Sequence, residues 1–274
     1  MRMALALVGV VVLTGCGVSA SDQPTFSAHT ATVAPSASAP SNATASALPP
    51  SQGVAGFEPV TFTTNDGVAI EGRLFGEGDV AVVLAHGSFD SGQGSWVPYA
   101  RTLAAEGYRV LTLNLRGYCP GGDVGCSGGE RNPPETWRDV VAAVDYLRER
   151  GTASVFLMGA SLGARSCLWA ASRPGVTVAG VIGVSTPEKA AGAFSPGYDF
   201  TPDVIASIEE PKLLMAGDKD AGIAAEAQTM LGWATEPKYL TVLPTAAHGP
   251  DLLTLPSASK AVLDFLVRYR LASP

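Results

Sequence analysis

Short, continuous apolar runs alternate with helical patterns along most of the chain. The runs at residues 80–85 (VAVVLA) and 154–158 (SVFLM) have the length and composition of strands that are buried on both faces. Between them, Trp137, Val140 and Val144 recur at helical spacing on one face. Strands that alternate with helices need a parallel sheet, because each crossover helix must pack back onto it. The pattern predicts an α/β fold with helices on both faces of the sheet.

Eight strands are predicted, and the first two form an antiparallel hairpin at the N-terminal edge of a mostly parallel sheet. The hairpin is expected because Asp66 and Gly67 separate two β-prone runs. The 274 residues, 46% of them hydrophobic, suffice for one core, and we find no internal repeat. The strands are expected at residues 59–64, 69–75, 80–85, 109–115, 154–158, 178–184, 212–216 and 238–243, and helices near 96–106, 137–147, 162–171 and 257–269.

The first 15 residues are typical of an export signal. Arg2 precedes an apolar run, residues 3–13, that is too short to span a bilayer. The run leads into LTGC at residues 13–16, which resembles the bacterial lipobox, where the cysteine sulfur receives a diacylglyceryl group before cleavage. The resemblance implies a lipoprotein that is anchored through Cys16 to the outer face of the cytoplasmic membrane. The alternative is an ordinary secretory signal with an incidental cysteine.

Residues 16–55 are predicted to form a disordered tether. Ser, Ala, Thr and Pro dominate this stretch, and it has too few bulky apolar residues to offset the entropy lost on ordering. His29 lies within it and is expected to be solvated. The folded domain is therefore expected at residues 56–274, spaced from the membrane by the tether.

The charge of the chain excludes one class of partner. The formal net charge is −7, and no cluster of lysine or arginine is available to neutralise phosphates. Nucleic acid is therefore not expected as a partner, and the membrane is expected to be contacted through the lipid alone. We expect a monomer that acts on a small molecule.

The sequence GASLG at residues 159–163 joins a predicted strand to a predicted helix. Small residues around Ser161 permit a sharp turn that pushes the serine side chain out at its apex. The N–H of Leu162 then faces the same space, at a helix N-terminus whose partial positive charge favours an oxyanion. Ser161 is therefore a candidate nucleophile, although a short pattern in a chain with 31 glycines can also arise by chance.

Polar side chains follow four of the predicted strands, at the edge where open α/β sheets bind ligands. A serine hydroxyl becomes a good nucleophile when an imidazole takes its proton, and the imidazole needs a carboxylate to hold its tautomer. Because one of the three histidines lies in the tether, the other two are the candidates for this imidazole. The residues that follow the strands are His86, Gly87, Ser88 and Phe89; Ser161; Asp218 and Asp220; and His248.

The chain order Ser, Asp, His and its placement after the strands resemble the α/β-hydrolase superfamily, which includes serine esterases and dienelactone hydrolases. The resemblance covers residues 57–271. It implies that Ser161 is the nucleophile, that His248 is the base and that Asp220 is the acid. Asp218 is the alternative acid. No cofactor and no metal are implied.

The same resemblance gives a role to the sequence that begins at His86. There the family histidine is usually structural and bonds neighbouring loops. A backbone N–H one or two residues further on helps to bind the oxyanion. This implies the N–H of Ser88, with Phe89 as the alternative, acting together with the N–H of Leu162.

One loop, residues 115–128, departs from the family pattern. It is longer than usual and contains Cys119 and Cys126. Thiols this close in sequence tend to oxidise in an exported protein, so we predict a Cys119–Cys126 disulfide that pins the loop near the mouth of the site. A metal site is not expected, because the further ligands it needs are missing. Cys167 is expected to be a small buried apolar residue.

Together these features predict an exported serine hydrolase that cleaves carboxylic esters through an acyl-enzyme. Thioesterases and peptidases use the same triad, and the fold does not separate them. A second hypothesis is an inactive binding module of the cell envelope with the same fold. Residues 185–210 form either a small lid or a plain surface crossover. The aromatic candidates for lining an acyl pocket are Phe89, Trp96, Tyr118, Phe194 and Phe200.

Overall fold

The computed structural model of the protein describes residues 56–122, 125–190 and 197–270. The predicted signal peptide, Cys16, the tether and Phe194 lie outside these residues. Within the described ranges, no helix is both long enough and apolar enough to cross a bilayer.

In the described part of the chain, eight strands form one sheet, as the alternating pattern predicts. In chain order they are β1 (Glu58–Thr63), β2 (Ala69–Phe75), β3 (Val80–Ala85), β4 (Arg109–Leu113), β5 (Ser154–Ala160), β6 (Gly180–Val184), β7 (Lys212–Gly217) and β8 (Lys238–Leu243). The spatial order is β1-β2-β4-β3-β5-β6-β7-β8. β2 pairs antiparallel with β1 and with β4, and the other neighbours pair parallel. The antiparallel hairpin therefore lies at one edge, as predicted.

Six α-helices are found over the same described ranges. They are α1 (Val97–Ala105), α2 (Thr136–Glu149), α3 (Leu162–Ala171), α4 (Pro202–Ala206), α5 (Ile223–Trp233) and α6 (Pro256–Tyr269). α1 and α6 cover one face of the sheet, and α2, α3 and α5 cover the other. The expected coverage of both faces is confirmed.

Successive residues of the central strands enter two separate cores. In β3, Ala81 and Val83 pack in the core under α2, α3 and α5, whereas Val82 and Leu84 pack in the core under α1 and α6. Side chains alternate between the faces of a strand, so a strand covered on both sides is apolar at every position. This is the physical reason for the unbroken apolar runs in the sequence.

The structure differs from the sequence-based prediction at several elements. The short helix α4 was not predicted, β5 ends two residues later than expected, and β6 begins two residues later. α5 was not predicted, because its buried face is sparse and consists mainly of Ile223, Ala227 and Met230. β4 ends at Leu113, two residues before its predicted end, because the N–H of Leu115 donates to a histidine ring instead of a neighbouring strand.

The described part of residues 185–210 packs against α3. Tyr198 and Phe200 are nearly fully buried, and their rings stack on Trp169 with centroid distances of 5.8 and 5.7 Å. The guanidinium of Arg165 lies over both rings and donates to the carbonyl of Pro187. These contacts favour a packed crossover for the described residues of this segment.

A cluster of charges, buried at Arg116 and Asp139, connects the hairpin turn to α2. The Arg116 side chain donates to Asp66 and to Asp139, in each case at 2.8 Å, and the backbone N–H of Arg116 also donates to Asp139. Asp66 lies in the β1–β2 turn, and Asp139 is a fully buried residue of α2. Burial raises the pKa of Asp139 to about 6, whereas the hydrogen bond from Arg116 lowers the pKa of Asp66. Arg116 is therefore the cation on which two carboxylates depend.

Replacing Arg116 with methionine should destabilise the protein by about 3–5 kcal/mol, because Asp139 would remain buried without its cation. Urea denaturation measures this free energy of unfolding. Arg101→Met is the matched control, since Arg101 is exposed on α1, and it should change stability by less than about 0.5 kcal/mol. Similar midpoints for the two variants would contradict a supporting role for the cluster.

Candidate active site

Ser161 occupies a strained turn between β5 and α3. Its φ and ψ angles are 52° and −114°, and a positive φ is uncommon for a residue other than glycine. Its backbone N–H donates to the carbonyl of Val184, at the end of the neighbouring strand β6, at 2.9 Å. The turn places Ser161 at the carboxyl end of the central strands, where the residue is partly exposed. This is the sharp turn that the GASLG sequence predicts.

The two glycines of this turn are required by close backbone approaches. A Cβ on Gly159 would lie 2.5 Å from the backbone nitrogen of Ala164 and would overlap the Gly163 carbonyl. A Cβ on Gly163 would lie 2.6 Å from the carbonyl oxygen of His86 and would overlap the carbonyl of Ala85. Gly159 thus lets the helix fold back on its own strand. Gly163 lets α3 approach the end of β3.

Asp220 and His248 form a hydrogen-bonded pair beyond the ends of β7 and β8. The Nδ1 atom of His248 lies 2.8 Å from Oδ2 of Asp220 and 3.0 Å from Oδ1. The Asp220 side chain is 8% exposed and the His248 side chain 35%, so the carboxylate is shielded while the imidazole is accessible. Asp218 is exposed. Of the two predicted acids, the structure brings Asp220 to the imidazole.

The residue after His248 lies close to the residue before Ser161. A Cβ on Gly249 would lie 3.5 Å from the Cβ of Ala160. The backbone of Gly249 is also tied to the end of β6, where its N–H donates to Oγ of Ser185 at 3.0 Å. His248 and Ser161 are therefore carried by neighbouring backbone segments.

Ser185 is not among the site residues predicted from sequence. It lies directly after β6, where polar side chains of an open sheet face the site, and that position was the one available signal.

His86 is a buried structural residue, as the family resemblance implies. Its Nδ1–H donates to the carbonyl of Gly87 at 2.5 Å, and its Nε2 accepts from the N–H of Leu115 at 3.0 Å. Burial lowers the pKa of His86 to about 4, so the ring is neutral at pH 7. Its two hydrogen bonds join the loop after β3 to the loop after β4.

The two backbone segments that carry the candidate anion-binding groups come close together near the turn. The N–H of Leu162 is the first of α3, where backbone donors have no partner within the helix. The approach of Gly163 to His86 brings this helix end close to the loop that carries Ser88. Ser88 is exposed, and the ring of Phe89 lies edge-on to His248 with a centroid distance of 6.4 Å. The choice between the Ser88 and Phe89 N–H groups stays a prediction.

The predicted Cys119–Cys126 disulfide is present. Tyr118, next to it, places its ring edge-on to His86 with a centroid distance of 4.5 Å. The guanidinium of Arg131 lies over the ring of Tyr118 at 4.1 Å. The disulfide loop therefore supports the histidine that organises the loop after β3. Cys167 is fully buried, as predicted, and burial raises the pKa of its thiol.

Three aromatic candidates for an acyl pocket belong to the core instead. Trp96 is fully buried, and Tyr118 and Phe200 are each 4% exposed, because their rings pack against neighbouring side chains. Phe89 remains at the site beside His248. Cavities of about 250 and 300 Å³ lie next to the edge strands β8 and β1, and no residue of the site lines them.

The chain resembles known proteins over nearly all of this domain. A model of the alpha/beta hydrolase family matches residues 82–272. An esterase from Pyrococcus furiosus matches with a TM-score of 0.65 at 20% identity, over 78% of this chain and 91% of that one. A dienelactone hydrolase from Anabaena variabilis gives a TM-score of 0.60 at 20% identity, over 80% and 98%. A thermophilic esterase from Thermogutta terrifontis gives 0.64 at 17% identity, over 77% and 99%. At these identities the solved structures establish the fold.

A methyl group at Gly163 should destabilise the protein, because the Cβ would overlap the Ala85 carbonyl. We expect Gly163→Ala to lower the free energy of unfolding by about 1–3 kcal/mol. Gly232→Ala is the matched control, since Gly232 is exposed on α5 with nothing within 4 Å of its Cβ position. This variant should gain about 0.5–1 kcal/mol from helix propensity. Equal stability of both variants in urea denaturation would argue against the close approach.

Proposed function

Because the chain belongs to the alpha/beta hydrolase family, we propose that it is a serine hydrolase that cleaves carboxylic esters through an acyl-enzyme. The observation that carries the proposal is the Asp220–His248 pair, whose backbone neighbours the strained turn of Ser161. A shielded carboxylate, an accessible imidazole and a serine at the apex of a turn are the parts that this chemistry requires.

The first half of the reaction forms the acyl-enzyme. Nε2 of His248 takes the proton of the Ser161 hydroxyl as Oγ attacks the ester carbonyl carbon. Asp220 accepts the Nδ1–H of His248, which fixes the tautomer and stabilises the imidazolium. The tetrahedral oxyanion is bound by the N–H of Leu162 and that of Ser88 or Phe89, each contributing a factor of about 10²–10³ in rate. The imidazolium then protonates the leaving alcohol as the bond to the carbonyl carbon breaks.

The second half releases the acid. His248 takes a proton from water, the hydroxide attacks the acyl carbon, and the same N–H groups bind the second oxyanion. Its collapse expels Oγ of Ser161, which recovers its proton from His248. No cofactor takes part in either half.

Esters are proposed ahead of thioesters and amides because two of the structural relatives are described as esterases and one as a dienelactone hydrolase. Phe89 supplies one apolar wall beside His248. An inactive binding module, the second hypothesis from sequence, would have no need to pair a shielded carboxylate with an accessible imidazole. We therefore favour the enzyme.

A fluorophosphonate probe should label the wild-type protein and leave Ser161→Ala unlabelled, because the probe reacts with an activated serine. Asp220→Asn should lower kcat by about 10⁴-fold, since the imidazole loses the group that holds its tautomer. Asp218→Asn is the matched control and should keep kcat within about twofold, because this exposed side chain faces solvent.

A panel of p-nitrophenyl esters of increasing acyl length, with thioester and peptide controls, identifies the bond and the chain length. Equal labelling of wild type and Ser161→Ala would contradict the assignment of the nucleophile. Well-folded wild-type protein that neither takes the label nor hydrolyses any ester would contradict the proposed function.

We also propose that the enzyme is held on the outer face of the bacterial cytoplasmic membrane by lipid on Cys16. The export signal and the LTGC sequence support this location. The Cys119–Cys126 disulfide fits this location, because disulfides persist in oxidising compartments outside the cytoplasm. Buried acyl chains contribute about 0.8 kcal/mol for each CH₂ group, so a lipidated cysteine holds the domain firmly.

Cys16→Ser should move the protein from the membrane fraction to the soluble fraction, because the residue can no longer receive the lipid. Fractionation followed by immunoblotting measures the shift. Cys167→Ala, which removes a buried cysteine of the domain, should stay with the membrane. Membrane retention of Cys16→Ser equal to that of the wild type would refute lipidation.

A further inference from the structure

Ser185, the first residue after β6, has a strained backbone in the interior of the protein. Its φ angle is 49°, and the residue is fully buried. Its backbone N–H donates to the carbonyl of Met215 in β7 at 2.8 Å. A serine persists in the left-handed region when its surroundings determine its conformation, and such residues cluster at functional sites. In this conformation the hydroxyl group of Ser185 reaches the backbone of Gly249.

The hydroxyl of Ser185 holds the loop of His248. Its Oγ accepts a hydrogen bond from the N–H of Gly249 at 3.0 Å, and the bond is buried. Gly249 follows His248 directly and itself has a φ of 65°. An anchored Gly249 amide anchors the peptide plane it shares with His248. Without the hydroxyl, the buried N–H would lose this partner, which favours a shift of the loop.

Val184, the residue before Ser185, holds the turn of Ser161. Its carbonyl accepts the N–H of Ser161 at 2.9 Å. Two consecutive residues therefore hold the backbones of the proposed nucleophile and of the proposed base. Val184 does so through its main chain and Ser185 through its side chain.

We infer that Ser185 is a positioning residue that sets the separation between His248 and Ser161, an inference that rests on the proposed function. Proton transfer requires heavy atoms about 2.6–3.2 Å apart, and a misplacement of about 1 Å can lower a rate 10²-fold. Loss of the hydroxyl should therefore slow proton transfer. Substrate binding should change little, because Ser185 is buried away from solvent.

The test compares Ser185→Ala and Ser185→Gly with the wild type, each as the full-length chain in detergent. With the p-nitrophenyl ester that the wild type hydrolyses best, kcat should fall about 10- to 100-fold in both variants, and KM should stay within about twofold. Glycine adopts the φ of Ser185 without strain but lacks the hydroxyl. Wild-type kcat in Ser185→Gly would show that the hydroxyl is not needed and would overturn the inference.

Thr152→Val is the matched control for loss of a buried hydroxyl. Thr152 is 5% exposed and accepts a hydrogen bond from Arg109 at 2.9 Å. It lies just before β5, at the opposite end of that strand from Ser161. The kcat of Thr152→Val should equal that of the wild type. An equal fall in kcat for Thr152→Val would attribute the effect to general destabilisation and would refute positioning by Ser185.

Hydrogen exchange of the peptide containing Gly249, followed by mass spectrometry, gives a readout that does not depend on activity. Exchange at this amide should be at least about tenfold faster in Ser185→Ala, since its hydrogen-bond acceptor is gone. Unchanged exchange would overturn the inference. If wild type is labelled by fluorophosphonate and hydrolyses esters while Ser185→Ala matches it, the positioning role alone is wrong. If wild type does neither, the proposed function itself is wrong.

Discussion

The approach of α3 to the end of β3 is the contact on which the rest of the site depends. Gly163 lies so close to the carbonyls of Ala85 and His86 that no side chain fits between them. This contact brings the N–H of Leu162, the first of α3, beside the loop after β3. It also requires the sharp turn at Ser161, because a gentler exit from β5 would move the helix away. The absence of a side chain at Gly163 therefore lets the candidate nucleophile and the candidate anion site lie close together.

Around this contact, buried polar side chains connect the loops to one another by hydrogen bonds. Neutral His86 joins the loops after β3 and β4, and the disulfide loop packs Tyr118 against it. Arg116 binds a carboxylate of the hairpin turn and another of α2. Buried polar groups require hydrogen-bond partners, and these partners come from different loops. The same bonds that satisfy them therefore fix the shape of the sheet's carboxyl edge.

Some features of the site were predictable because they depend on local sequence. The turn at Ser161 is encoded by Gly159 and Gly163, and the disulfide by two cysteines in one loop. The family resemblance implies Asp220 ahead of Asp218, but the residues alone do not separate them, because the choice depends on which carboxylate reaches a histidine 28 residues further on. Ser185 was missed, since neither its conformation nor its bond to Gly249 has a local signature.

The sequence by itself determined the alternation of strands and helices, the antiparallel edge and the candidate residues at the strand ends. Those properties follow from burial on two faces and from the conformational freedom of glycine, which are read residue by residue. Tertiary structure decided which of the two predicted carboxylates, Asp220 or Asp218, reaches His248, and it placed Trp96 in the core. It also decided that Val184 accepts a hydrogen bond from the turn of Ser161 while Ser185 accepts one from Gly249, after His248. The physical reason is that contacts between residues far apart in the chain depend on how the strands are ordered in the sheet.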